Sequence, residues 1–432
     1  MWRLAGPSCP LLLAAGVIAC DPAAPARYAT AAPALSASQA DAGFVVMGAT
    51  VFDGERFRTG NVHVVGANVA GFVTEPPPGA RVVAGAGHTL MPGLIDGHAH
   101  VGDAAGNLTT VIKFGVTTVV DLFGPPELLA KMHATDVSPE GLTRASLVGA
   151  GVLATAPGGH GTEYGIPIPT IERPADAQAF VSARKAEGSM LLKIVYDNQS
   201  ETTDGKTTTM PTLALGTVLA LATEGHQQGL PVVVHAGTCE DIRQLSHLPV
   251  DVIAHGCALP KGDGLASALA QNKVFLNPTL AVQLRPCGME YWIPIVSDPE
   301  IAARLNDEEN KRLGTDRHDH NIACSEGRLR LVRESAKAGV RLIAGPDSPN
   351  RRLPLGASLL AEVLLLQEAG ATIEQSLAAA TSNPADAYRI AGRGRIAKGQ
   401  RADLLLVAGD ASRDLRAVLH TRSVWKAGAL LR

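Results

Sequence analysis

The sequence predicts an α/β protein: a (β/α)8 TIM-type barrel carrying a small β-sandwich formed by its N- and C-terminal segments. Three observations predict it. Between residues 86 and 394, short apolar runs alternate with helical apolar periods, the pattern of parallel strands joined by crossover helices. β-rich stretches flank that region on both sides, at 43–85 and 395–432. Hydrophobic residues make up 46% of the chain and charged ones 18%, enough to bury a large core and too apolar for wholesale disorder.

Residues 1–20 stand apart from the fold. Arg3 supplies a positive start, and the mostly apolar run from Leu11 to Ala19 is far too short to span a bilayer, so this segment reads as an export signal. Val17-Ile18-Ala19-Cys20 resembles a bacterial lipobox, which would leave Cys20 as a lipid-carrying N-terminus; an ordinary signal with an incidental cysteine is the alternative. The expected protein is exported, and is either held at a membrane by that lipid or free in the periplasm or outside the cell. Stable anchoring would take more than one acyl chain. Residues 21–42, rich in Ala, Pro and Ser without an apolar period, read as a flexible tether.

From residue 43 the chain turns β-like. Phe44-Val45-Val46-Met47 and Asn61-Val62-His63-Val64-Val65 are bounded by turn signals, and Ala402-Asp403-Leu404-Leu405-Leu406-Val407 and Ser423-Val424-Trp425 repeat that texture at the far end. Two separated β segments around a central domain pair most simply with each other. Inside them, eight strands centre on 93–98, 117–122, 145–152, 191–195, 231–235, 250–255, 274–278 and 340–344, with helices such as 212–228 and 355–368 in the gaps. A charged, helical insertion at 283–334, between the seventh and eighth strands, is either a lid over the barrel mouth or a passive excursion.

Net charge is −3 with no basic stripe, so a nucleic-acid partner has no electrostatic support and a small-molecule substrate is expected. Four cysteines remain once the signal and Cys20 are set aside: Cys239, Cys257, Cys287 and Cys324. Their spacing matches no zinc motif. Cys287 and Cys324 share one insertion and are the suspected disulfide; free buried thiols are the alternative.

The chemistry concentrates at strand ends. In Pro92-Gly93-Leu94-Ile95-Asp96-Gly97-His98-Ala99-His100, residues two apart point the same way, so His98 and His100 both project inward where barrel enzymes place their sites. Lys193 lies in the fourth strand, a poorly solvated position for a charge; His235 ends the fifth, His255 ends the sixth, and Asp347 follows the eighth. Any one of these has a bland reading as a core histidine or a capping aspartate. Five strand ends carrying metal-ligand residue types at regular spacing do not.

With "MPGLIDGHAH" leading through the first strand, "GVTTVVD" in the second and "TSNPADAYRI…GRIAKGQRADLLLV" at the exit, the constellation resembles the amidohydrolase superfamily, in the binuclear form with a carboxylated lysine. Its texture is most similar to the imidazolonepropionase-related branch, which includes Xaa-Pro dipeptidases. The resemblance implies that His98, His100 and Asp347 bind the more buried of two divalent cations, and His235 and His255 the more exposed one. Lys193, as its CO2 adduct, would link them, and zinc suits the imidazole donors. It implies hydrolysis of an amide or peptide-like C–N bond, in a dipeptide or N-acyl amino acid, by a metal-bridged hydroxide with Asp347 as general base and then acid. Deaminases of the superfamily carry a glutamate three residues after the fifth-strand histidine; Thr238 stands there, which weighs against deamination. The resemblance also makes His160, in a glycine-flanked loop after the third strand, a candidate to face substrate or to donate to the carbonyl oxygen. Tyr196 and Arg285 are candidate partners for a substrate carboxylate, and Asp121 is a candidate acceptor behind a metal-binding histidine. His318 and His320, two apart in a helical context, read as surface residues. A lactone or ester hydrolase, or a surface lipoprotein binding metal or ligand without turnover, are the alternative functions.

Overall fold

The computed structural model describes residues 42–432, apart from 103–104, 166, 200, 204–205, 290–294, 296, 308 and 311–321. The expected export signal, Cys20, nearly all of the segment read as a tether, and His318 and His320 lie outside the described residues. Seven of the apolar runs form parallel strands. Leu94–Ala99 and Ser146–Gly149 pair with Val116–Asp121 between them, and Leu192–Tyr196, Val232–Ala236, Val252–Ala254 and Phe275–Asn277 form a second parallel sheet in that order. Single parallel bridges link the two sheets into a circuit: Ala154 to Ile194, Leu276 to Leu342, and Ala99 to Ser348. The strands are buried on nearly every residue, as expected where helices cover the outside of a parallel sheet.

The eighth strand is corrected. Residues 340–344 form no regular ladder and touch their neighbour through one bridge at Leu342. Gly345 and Pro346 follow at once, proline has no N–H to donate, and Asp347 turns left-handed at φ 61°. The segment is still held on both sides, by Ile343 N–H to the Leu276 carbonyl at 2.8 Å and by Gly97 N–H to the Ala344 carbonyl at 2.9 Å. Helices Leu215–Gln227 and Ala357–Glu368 stand where their apolar periods predict.

The terminal segments form two sheets. A six-stranded one joins both ends of the chain, Leu404–Ala408 pairing antiparallel with His88–Pro92, and a four-stranded one comes wholly from the N-terminal segment. Residues from both sheets share an apolar cluster that includes Phe44, Val46, Leu90 and Trp425. Strand parity then decides what faces the central domain: Leu404 and Leu406 join this cluster, while Leu405 and Val407 enter the main core.

Two disulfides are present. Cys287–Cys324 is the suspected pair; Cys239–Cys257 was not foreseen, and it ties the segment just after His235 to the one just after His255. Of the insertion, helix Ile322–Lys337 packs Leu331 and Val332 into the main core, so this part is wall rather than lid. No helix among the described residues is long and apolar enough to cross a membrane.

Candidate metal centre

The C-terminal ends of the strands open into a cavity of about 620 Å³ whose wall includes His98, His100, His160, Lys193, His235, His255 and Asp347. Within it, one ligand atom each from His98, His100 and Asp347 lie within 4.8 Å of one another. Close backbone approach builds that group. Any side chain at Gly345 would collide with His98, a Cβ there falling 2.4 Å from the His98 nitrogen. The glycine therefore lets the eighth segment run against the first strand, where Asp347 N–H donates to the His98 carbonyl at 3.0 Å. Asp347 Oδ1 then lies 2.9 Å from His100 Nε2 and 3.5 Å from His98 Nε2.

Hydrogen bonds behind the imidazoles set their orientation. Asn277 donates its amide to the Ile343 and Gly345 carbonyls, at 2.9 and 3.2 Å, which leaves its Oδ1 to accept from His98 Nδ1 at 2.8 Å. His98 thus keeps its proton on Nδ1 and turns the Nε2 lone pair toward Asp347, the tautomer a metal needs. Thr279 Oγ1 lies 3.0 Å from His255 Nδ1. Burial holds His98 and His255 well below the usual imidazole range and His235 at about 4, so these rings are neutral, as ligands must be. Burial would also depress His100, yet its hydrogen bond to Asp347 lifts it above the ordinary value. Asp347 answers in kind: burial pushes it up, but His98 and His100 beside it bring it down to about 2.

The remaining predicted ligands face the same cavity without joining the tight group. The His255 ring centroid is 5.0 Å from that of His98 and 4.1 Å from that of His235. His235 turns its Nε2 toward Asp197, at 3.0 Å. Lys193 is buried, and its Nζ has no hydrogen-bond partner among the described residues. Burial brings its ammonium down to about 8. His160 lies on the cavity wall with its Nδ1 2.5 Å from Glu163 Oε1, and its ring centroid 5.1 Å from that of His235. Asp121 Oδ1 is 3.9 Å from His100 Nδ1, while its oxygens accept from the N–H groups of Val101 and Phe123.

Two predicted substrate residues are corrected. On strand Leu192–Tyr196, Lys193 and Val195 face the cavity, so by parity Tyr196 faces away; it packs against the main core and its hydroxyl donates to Gln244. Arg285 begins a 3₁₀ turn and donates to the Arg351 carbonyl instead of lining the cavity. Sequence reasoning missed Asn277, Thr279, Asp197 and Glu163. A signal existed for three of them: Asn277 closes an apolar strand at the level of the histidines, Asp197 follows the fourth strand, and Glu163 is three residues from His160.

The amidohydrolase family model matches residues 89–430. The chain belongs to the amidohydrolase family. Its members generally use divalent metals, which agrees with the His98–His100–Asp347 group. The imidazolonepropionase of Deinococcus deserti is 36% identical over 94 residues, a match covering 21% of this chain and 24% of that protein. The chain thus spans about a quarter of that relative's length. Among solved structures, a Xaa-Pro dipeptidase with bound methionine in its active site superposes with a TM-score of 0.69 at 19% identity, covering 90% of this chain and 99% of that one. A prolidase complexed with N-methylphosphonate-L-proline gives 0.68 at 20% identity, with coverage of 90% and 99%. Likeness at that identity establishes the fold, and with family membership it implies a TIM barrel for this amidohydrolase.

Proposed function

We propose that this amidohydrolase cleaves the amide bond of a dipeptide or an N-acyl amino acid at a site for two zinc ions. The observation that carries the reading is Asp347: an ionised carboxylate at the wall of a large cavity, within reach of two neutral-capable imidazoles. The donor set fits the metals. His98, His100 and Asp347 would hold the deeper ion, and His235 and His255 the outer one. Lys193 fits as the bridge because its amine is buried without a partner; the neutral amine can add CO2, losing one proton and becoming an anionic two-oxygen carbamate. Bound metal would lower the pKa of a water and polarise the scissile carbonyl.

The protein's own groups do the rest. Asp347 takes the proton from the attacking water and delivers it to the leaving nitrogen. His160, its Nδ1 held by the Glu163 carboxylate, would serve as a doubly protonated ring, offering its other N–H to the carbonyl oxygen as charge develops. A hydrolysis screen of zinc-loaded protein against dipeptides, N-acyl amino acids and lactones tests the reading; turnover of lactones alone would replace the amide with an ester. In the same assay His160→Ala should keep its metal and lose about 10²–10³ in kcat if the oxyanion role is right. A raised KM with unchanged kcat would reassign His160 to holding a substrate end.

We also take the two terminal sheets as a small sandwich; strand His88–Pro92 belongs to it, so the boundary expected between residues 85 and 86 moves past Pro92, and the barrel runs from there to 394. The chain is proposed to be exported and lipidated at Cys20, and the two disulfides support an oxidising compartment. Intact mass of membrane-extracted protein should show an acylated Cys20 as the first residue; an unmodified N-terminus elsewhere would remove the anchor.

A further inference from the structure

One side of the cavity is unused by the chemistry above. Beside the histidines its wall is apolar, built from Leu122, Phe123, Leu153, Tyr164 and Val195. Leu122, Leu153 and Val195 are buried parts of that lining. Tyr164 is different: a large ring at the mouth, left 58% exposed, where folding gains little from it. It is nevertheless held in register. Its ring centroid lies 6.1 Å from that of Phe123 on one side and 5.9 Å from that of His160 on the other, and His160 in turn meets His235. A row of planar rings therefore runs from the rim to the ligand histidines. Spaced and tilted rings of this kind pair with a further aromatic face, and the apolar lining gains most from a group that brings no charge.

We propose that Phe123 and Tyr164 determine specificity, and that the substrate's amide bears an aromatic or similarly broad planar apolar group which lies against them. This rests on the amide-hydrolase reading and deepens it. A group on this wall would place its attached carbonyl toward His160 and the metal-ligand end of the cavity, so binding remote from the bond would orient the bond.

The test compares zinc-loaded wild type with Phe123→Ala, Tyr164→Ala and Tyr164→Phe on N-benzoyl-L-alanine and N-acetyl-L-alanine, which share one amide and one carboxylate. Wild type should favour the benzoyl substrate in kcat/KM, and each alanine variant should cut that preference by about 10- to 100-fold, the range expected for losing one aromatic contact with its buried area. Tyr164→Phe should keep most of it, because the ring and not the hydroxyl is invoked. Equal rates on the two substrates, or a ratio unmoved by the alanine variants, would overturn the proposal while leaving amide hydrolysis intact. Calorimetric binding of benzamide and acetamide separates the two readings. If neither amide is hydrolysed, the proposed reaction fails, yet benzamide binding more tightly than acetamide and weakening in Phe123→Ala and Tyr164→Ala still sustains the specificity wall. Equal binding of the two overturns it.

Discussion

Lys193→Ala should leave a folded chain that holds fewer than two metals and has lost nearly all activity. The side chain is buried and its Nζ has no partner among the described residues. An ammonium there would face the dications and carry an uncompensated desolvation penalty, whereas a carbamate offsets their charge and supplies two oxygens. Added small carboxylic acids should restore part of both metal content and rate by supplying those oxygens in the vacated space. Metal analysis beside kcat measures this; two retained metals with normal rates would replace the bridged site by a mononuclear one on His98, His100 and Asp347. The metal-free proteins give a second readout. Burial lowers the lysine from its ordinary 10.5 to about 8, so between these values the unfolded chain binds the proton that the folded chain has lost. Stability from this group rises with pH across that window. Lys193→Met should therefore melt higher than wild type below pH 8, and the gap should close toward pH 10.5.

Asp347→Asn is expected to lower kcat by about 10²–10⁴, the usual cost of a lost general base, with metal partly retained on the histidines. Asparagine is the informative replacement. The residue sits at φ 61°, a conformation that asparagine tolerates better than most side chains, so the backbone that threads Asp347 N–H to the His98 carbonyl survives. What is lost is the charge. In the metal-free protein burial pushes the carboxyl up but His98 and His100 bring it down to about 2, so it is ionised and able to accept a proton, which asparagine cannot do. Near-normal turnover in the variant would move the proton transfer to another group.

The positions of the proposed metal-binding residues were readable from local rules. His98, His100, His235 and His255 end apolar strand runs or stand just beyond them, and a strand's two-residue period with the polarity of a barrel is enough to aim them at one mouth. The same parity should have excluded Tyr196, which differs from Lys193 by an odd number of positions and points outward. The eighth strand was less legible, because Gly345, Pro346 and the left-handed Asp347 break the ladder that an apolar run suggests.

Residue type, spacing and strand order in the sequence determined the family, the ends of the strands and which side chains could bind metal, since each follows from interactions within a few residues. The tertiary structure alone decided how those side chains are held. Asn277 fixes the tautomer of His98 across 179 positions, Asp197 takes one nitrogen of His235, and Cys239–Cys257 clamps the segments that follow His235 and His255. Hydrogen bonds and packing depend on distances of a few ångströms, and where strands distant in sequence are laid side by side, only the closed fold sets those distances.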